Sequence, residues 1–265
     1  MNAFSSDLWT QLKRSICAVD LPEVKRVAAF DADGTLWNAD VGEHFFNFEI
    51  AESKKKPEAR QNSLSSGSLM PLFDSLNEFE NPFDHYLKLK EKHPPTAYLW
   101  LAQIHAGMPI EDVRTLAAES CATANPWPYF NDQRMLVSFL QENDFQVFII
   151  TASVKWSVEP FAKALGIDFD HVLGVSTLID GGYVTEIQDG PVTWRKGKLE
   201  ALLRATNGVA PVFCSGNTSG DLELLEASTI KPLAVRSRSN TGSLLKSELE
   251  LYEVAKKKGW LTHEF

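Results

Sequence analysis

Asp31 and Asp33 stand two residues apart, with the apolar run Val27–Phe30 before them and Gly34 and Thr35 directly after. In such a pair one carboxylate can act as a nucleophile, while the other passes a proton to a leaving oxygen and later takes one from water. Carboxylate nucleophiles serve phosphoryl transfer in particular. Thr151, Ala152 and Ser153 follow a second apolar run, Val147–Ile150. A hydroxyl and amides at a helix start there would cradle a phosphate, although Thr151 taken alone reads as an ordinary helix cap. The segment Trp194-Arg195-Lys196-Gly197-Lys198 opens another helix with cations. The helix dipole disfavours positive charge at that end unless an anion lies beside it; alone, the segment reads as a solvated basic turn. In the loop Ser215–Asp221 two oxygen-bearing side chains, Asn217 and Asp221, flank small residues. That set suits a Mg2+ ion whose shell is completed by phosphate and water.

The elements that must position these residues alternate. The spacing of Phe4, Leu8, Leu12 and Ile16 predicts an amphipathic helix over Phe4–Cys17. Val27–Phe30 reads as a buried strand running into a tight loop. A helical region follows: Val41–Ile50 is apolar and aromatic, and Phe83–Lys92, Thr96–His105 and Pro109–Glu119 are further helices. Pro109 stands at a first helical position, with Glu111 and Asp112 in the first turn. Within this region Lys54–Pro57 reads as a solvated turn and Asn62–Ser68 as a flexible loop, and Asn125–Pro128 is a linker. Beyond it the pattern predicts a helix over Asp132–Gln141, a strand over Val147–Ile150, a helix over Val154–Leu165 and a strand over His171–Val175. A hairpin is expected at Leu178–Ile187, helices at Lys196–Ala205 and Leu222–Ala227, and strands at Val212–Ser215 and, last, Leu233–Val235. Short apolar strands alternating with helices specify an α/β fold, a Rossmann-like parallel sheet with helices on both faces. Residues 1–37 and 128–265 form this core, and residues 38–127 an inserted helical unit. Ligands bind such sheets at the carboxyl ends of the strands, where the segments above converge.

The 265 residues carry 26 basic and 35 acidic side chains, a formal net charge of −9. Such a surface repels nucleic acid and anionic lipid, so neither is an expected partner. Cys17, Cys121 and Cys214 are odd in number and far apart, which argues against a disulfide framework or a zinc site and for a cytoplasmic protein. The opening residues lack the apolar stretch of a secretory signal, and no run has the length of a transmembrane helix.

The segments FDADGTLW, ITAS, KGKLEALL and CSGNTSGDLELL occur in this order between Val27 and Leu225. Together they resemble the four motifs of the haloacid dehalogenase superfamily. The helical insert between the first two matches that superfamily's first cap type, and the layout is similar to that of the phosphoserine phosphatases. The resemblance implies a Mg2+-dependent phosphatase acting on a small phosphate monoester. It implies that Asp31 is the nucleophile and becomes an aspartyl phosphate, that Asp33 is the general acid and base, and that Thr151, with Ala152 and Ser153, binds phosphate. Lys196, the lysine at the motif's position, would neutralise charge beside Asp31. Asp31, the Asp33 carbonyl, Asn217 and Asp221 would hold Mg2+. The family usually has aspartate where Asn217 stands, so Asn217→Asp is expected to tighten Mg2+ binding. Asp33 argues against dehalogenation, and a transport ATPase would need membrane helices.

Asp40 occupies the position of an acid that meets the substrate amine in phosphoserine phosphatases, but their cap arginine has no counterpart at Tyr98–Trp100; Arg60 and Arg114 are the alternatives. An amine-bearing substrate such as phosphocholine or phosphoethanolamine is therefore expected, held by Asp40 and by aromatic faces that include Trp37. The alternatives are a phosphoserine phosphatase and a non-catalytic protein that binds a phosphorylated ligand.

Overall fold

The computed structural model describes residues 4–54, 81–124, 126–237 and 244–265. The expected loop at Asn62–Ser68, the turn at Lys54–Pro57 after Lys54 itself, Arg60, and Asn125 of the expected linker lie outside the described residues.

Helix α1 (Ser6–Cys17) starts where the Ser5 hydroxyl accepts from the Leu8 amide at 3.2 Å, and it buries Leu8, Leu12 and Ile16 against the sheet. Such a cap stabilises a helix by about 1 kcal/mol. Strand β1 (Val27–Phe30) is buried at every residue. Then come α2 (Val41–Ser53), α3 (Pro82–Lys92), α4 (Pro94–Gln103) and α5 (Ile110–Thr123). Pro109 is the residue before α5 rather than its first, with Glu111 and Asp112 in the first turn as expected. The core resumes with α6 (Asn131–Glu142), β2 (Gln146–Val154), α7 (Lys155–Lys163), β3 (Val172–Val175), the hairpin β4 (Thr177–Asp180) and β5 (Tyr183–Gln188), α8 (Lys196–Ala205), β6 (Phe213–Gly216), α9 (Leu222–Glu226) and β7 (Leu233–Arg236). Leu233–Val235 is not the last strand: α10 (Leu245–Lys258) and β8 (Leu261–Glu264) follow it.

Among the described residues, the main sheet has six strands in the order β3-β2-β1-β6-β7-β8, all parallel. The fold is thus the expected α/β one. One apolar cluster lies under α1, α6 and α7, and another on the opposite face under α8, α9 and α10. The chain winds outward from β1 through β2 to β3, then returns to the other side of β1 with β6. That reversal beside β1 opens a crevice at the strand ends, the place where such sheets bind ligands.

The helices α2 to α5 share a third apolar cluster built on Phe45, Phe46, Tyr86, Leu101, Val113 and Leu116. The hairpin, assigned with the core by the sequence boundaries, is stitched to this layer. The Gly107 amide donates to the Val184 carbonyl at 2.8 Å, and the Val184 amide to the Met108 carbonyl at 2.9 Å. Inside the layer His105 Nε2 lies 2.5 Å from Glu49 Oε1, both residues buried. Among the described residues, no helix is long and apolar enough to cross a membrane.

Candidate active site

Asp31 leaves β1 with its amide donating to the Ser215 carbonyl at 2.9 Å, so the pairing of β1 with β6 extends to this residue. The chain then turns sharply. Gly34 has φ +76°, and a Cβ there would collide with Asn217 Nδ2. Glycine alone permits both the turn and the approach of the β6 loop.

Three donors, from its own loop, α2 and β2, hold Asp33. Trp37 Nε1 donates to its Oδ1 at 2.7 Å, the Val41 amide at the start of α2 donates to the same oxygen at 2.9 Å, and the Ser153 hydroxyl donates to Oδ2 at 2.7 Å. Burial pushes the Asp33 carboxyl up to about 6, although these donors pull it down. Gly42 lets α2 descend this far, since a Cβ there would meet Ser153 Oγ at 2.7 Å.

The two lysines of the third motif part company. Lys196 is 83% exposed, and its Nζ lies 4.0 Å from Glu200 Oε1. It does not reach Asp31, contrary to expectation. Lys198 is buried, with Nζ 2.5 Å from Asp31 Oδ1 and bonded also to Asp221 Oδ1. The reason is helical phase: Lys198 shares the buried face of α8 with Ala201 and Leu202. Burial would lower the Lys198 ammonium, but Asp221 and Asp31 hold it above the ordinary lysine range. Burial, followed by the neighbouring Asp221, raises Asp31 to about 6 against the pull of Lys198.

Thr151 is buried, but it is not a helix cap. Strand β2 runs on through Val154, with an irregularity in its pairing between Ile150 and Val154, and α7 begins only at Lys155. The Thr151 hydroxyl instead accepts from the Ser153 amide at 3.1 Å. Thr151, Ala152 and Ser153 all line the cavity described below.

In the β6 loop, Asp221 is consumed by its surroundings. Its Oδ2 accepts from the amides of Asn217 and Thr218 at 3.1 and 3.0 Å, and its Oδ1 accepts from Lys198. Asn217 Oδ1 lies 3.3 Å from the Thr35 hydroxyl, which is itself 3.2 Å from Asp31 Oδ2. Asn217 Nδ2 donates to Glu248 Oε1 at 3.0 Å.

Above these residues opens a cavity of about 200 Å³, lined by Asp31, Asp33, Lys198 and Asn217 and, from α2, α3, α4 and the residue before α2, by Asp40, Glu43, Tyr86, Lys90 and Tyr98. Asp40 caps α2, accepting from the Glu43 amide at 2.8 Å, and burial, then Asp33 and Glu43, push its carboxyl up to about 7. Lys90 Nζ lies 2.8 Å from Glu43 Oε1 and sits 5.2 Å from the ring centre of Tyr86 and 5.9 Å from that of Tyr98. Arg195, in the left-handed region at φ +51°, and Trp194 also line the cavity.

Trp37 is not among the lining residues. It is wholly buried against Tyr129 and Phe161, and its ring nitrogen serves Asp33. A bulky apolar side chain beside a buried carboxylate goes inward, so Trp37 offers no face to a ligand. Arg114 is bound to Glu159 at 2.9 Å, away from the cavity. Tyr86, Lys90 and Glu248 were not foreseen. Glu248 had a sequence signal: it shares a helical face of α10 with Leu251, Tyr252 and Ala255.

The family model described as haloacid dehalogenase-like hydrolase matches residues 28–226. Phosphorylcholine phosphatase of Pseudomonas aeruginosa is 24% identical over 239 residues, covering 72% of this chain and 68% of that protein. A conserved, functionally unknown protein from Anaerococcus prevotii superposes with a TM-score of 0.66 at 14% identity, covering 98% of this chain and 92% of the other. A protein of unknown function from Bordetella pertussis Tohama I superposes at 0.63 with 19% identity, covering 89% and 97%. The two structural likenesses carry the fold, and the family match runs from β1 through α9, taking in all four motifs: this chain belongs to the haloacid dehalogenase-like hydrolases.

Proposed function

We propose that the protein is a Mg2+-dependent phosphatase for a small, amine-bearing phosphate monoester. The observation that carries this reading is the convergence of Asp31, Asp33, Ser153 and Lys198 at one cavity from the ends of two strands and a helix. At about 200 Å³ the cavity is smaller than the roughly 300 Å³ at which drug-sized ligand sites begin, in keeping with a small ester. Residues 38–127 serve as the cap, and the free cysteines are in keeping with a reducing, cytoplasmic compartment.

The residues fit Mg2+. The available donors are a carboxylate of Asp31, the Asp33 carbonyl and the Asn217 amide oxygen, all hard oxygens and few in number, which suits an ion that keeps waters and takes phosphate oxygens. Asn217 is the direct side-chain ligand in this reading, because the Asp221 oxygens are engaged by Lys198 and the loop amides. The ion, when bound, screens the repulsion between the Asp31 carboxylate and the phosphate dianion.

An Asp31 oxygen attacks phosphorus, and the bond from phosphorus to the ester oxygen breaks. Asp33 gives its proton to that oxygen. A carboxyl raised to about 6 suits proton donation near neutral pH. Asp33, now ionised, takes a proton from water, which attacks phosphorus and frees Asp31 and phosphate. Lys198 compensates charge on Asp31 throughout, and the Thr151–Ser153 segment faces the phosphate oxygens. On the cap side Asp40 and Glu43 supply negative charge, and Tyr86 and Tyr98 supply aromatic faces. Lys90 already rests as an ammonium between Glu43 and those rings. The relative named phosphorylcholine phosphatase supports the same head-group class.

Phosphoserine is a second reading with one observation in its favour: Lys90 is a cation in the cavity that could receive a carboxylate. Phosphate release from phosphocholine, phosphoethanolamine, phosphoserine and a sugar phosphate, with and without Mg2+, tests both. The amine esters are expected to have the highest kcat/KM. A preference for phosphoserine overturns the head-group reading, and no Mg2+-dependent release from any of them overturns the activity. Asp31→Asn should abolish turnover, by about three orders of magnitude or more, because an amide cannot form the acyl phosphate.

A further inference from the structure

The Asn217 side chain is held from both ends. Its Nδ2 donates to Glu248 Oε1 at 3.0 Å, and its Oδ1 faces the Thr35 hydroxyl beside Asp31. Asn217 and Glu248 are 0% and 1% exposed, and they arrive from the β6 loop and the first turn of α10. Of the two ends of an amide, only the nitrogen can donate to a carboxylate. Glu248 therefore decides which way Asn217 points, and it points the oxygen toward the nucleophile. Gly34 closes the third side: a Cβ there would collide with Asn217 Nδ2 and lie 3.5 Å from Glu248 Oε1.

We propose that Asn217 and Glu248 act as one unit in which Glu248 is a positioning residue. It aims the Asn217 carbonyl oxygen at the ligand position and polarises it, so the negative charge of the unit stands one residue behind the oxygen that is presented. This rests on the reading of the β6 loop as Mg2+-holding. Partners behind a ligand orient it and raise its donor strength. The unit also explains why residue 217 is neutral. An aspartate there would set two buried carboxylates face to face across the present 3.0 Å contact, where like charges repel strongly. The expectation that Asn217→Asp tightens Mg2+ binding thus reverses in sign.

The test uses the full chain as wild type, Asn217→Asp, Glu248→Gln and the double variant Asn217→Asp/Glu248→Gln. Tm is measured without metal, and Mg2+ affinity by calorimetry. Asn217→Asp should lower Tm by several degrees and weaken Mg2+ binding by about tenfold or more. The double variant should recover both, because the amide introduced by Glu248→Gln can donate to an aspartate and restore the pair in inverted form. Glu248→Gln alone should weaken Mg2+ binding less than Asn217→Asp does, since a glutamine oxygen still accepts from Asn217. The proposal is overturned if Asn217→Asp keeps the wild-type Tm and binds Mg2+ as tightly or more tightly, or if the double variant is no better than Asn217→Asp. Absence of Mg2+ binding by the wild type would overturn the ligand reading, and the metal-free Tm series would then still decide whether the two residues act as a unit.

Discussion

Lys196 and Lys198 are two residues apart on a helix, hence about 200° apart around its axis. One faces solvent and the other fills the gap between two buried aspartates. Lys198→Met should abolish turnover and lower stability by about 3–5 kcal/mol, since it strands two buried carboxylates. Lys196→Ala should leave stability within about 0.5 kcal/mol of wild type. Denaturant titration and a phosphatase assay separate the two; equal effects would refute the assignment. Asp40 offers a different handle. Its carboxyl is raised from 3.8 to about 7 by burial, then by Asp33 and Glu43. A carboxyl raised in the fold contributes stability that is fully present below its unfolded value and is lost as pH rises through about 7. Asp40→Asn should therefore lessen the dependence of Tm on pH between these limits, with Asp31 and Asp33, both raised to about 6, supplying what remains. Binding of an ammonium needs the ionised form, so the kcat/KM for phosphocholine relative to a sugar phosphate should climb through that pH. The ratio should stay level in Asp40→Asn, and a level ratio in wild type would remove the role given to Asp40.

At the scale of elements, the helices α2 to α5 meet around a buried hydrogen-bonded pair. Glu49 and His105 lie 2.5 Å apart with Phe45 stacked on the imidazole and Trp156 against its edge. Glu49→Ala should destabilise the protein by about 1–3 kcal/mol, measured by chemical denaturation, because it leaves a buried imidazole nitrogen without its partner. Asp31 and Asp33 were legible in the sequence because their signal is local: an apolar run, two acids, a glycine. Two of the charged residues it misplaced or missed share one cause. Lys198 and Glu248 each sit on an otherwise apolar helical stripe, Lys198 with Ala201 and Leu202, Glu248 with Leu251 and Ala255. A charge on such a stripe signals a buried partner, but only the packing of α8 and α10 against distant loops names it. Thr151 lines the cavity as expected, but the helix start read there fails, because β2 continues through an irregular stretch to Val154. Tyr86 and Lys90 sit four apart on α3 like any surface pair, and only the descent of that helix over the cavity gives them a role.

At the scale of the whole molecule, the sheet is closed by its last strand. Strand β8 pairs with β7 from Leu261 to Glu264, His263 bonds to Asp132 at 3.1 Å, and Phe265 stacks on Phe130. Removing residues 261–265 should therefore cost at least about 3 kcal/mol, from lost apolar burial and an opened edge, and would also loosen α10, which carries Glu248. Comparison of truncated and full chains by denaturant titration and by Mg2+ calorimetry checks this; unchanged stability would mean the strand is only ornamental to the fold. The central position of β1 has a consequence for how the protein is made. Its two neighbours pair through Phe30 with Ile149 and with Ser215. Strand β1 is made before both of its partner strands, so until they follow it is apolar on both faces and unpaired on both edges. Pairings of such long range are slow to find, and an open apolar edge invites other chains. The faces of β1 are covered by α1, α6 and α7 on one side and by α8, α9 and α10 on the other, and of these six helices α1 alone precedes it in the sequence, so that helix is the first cover the strand can find.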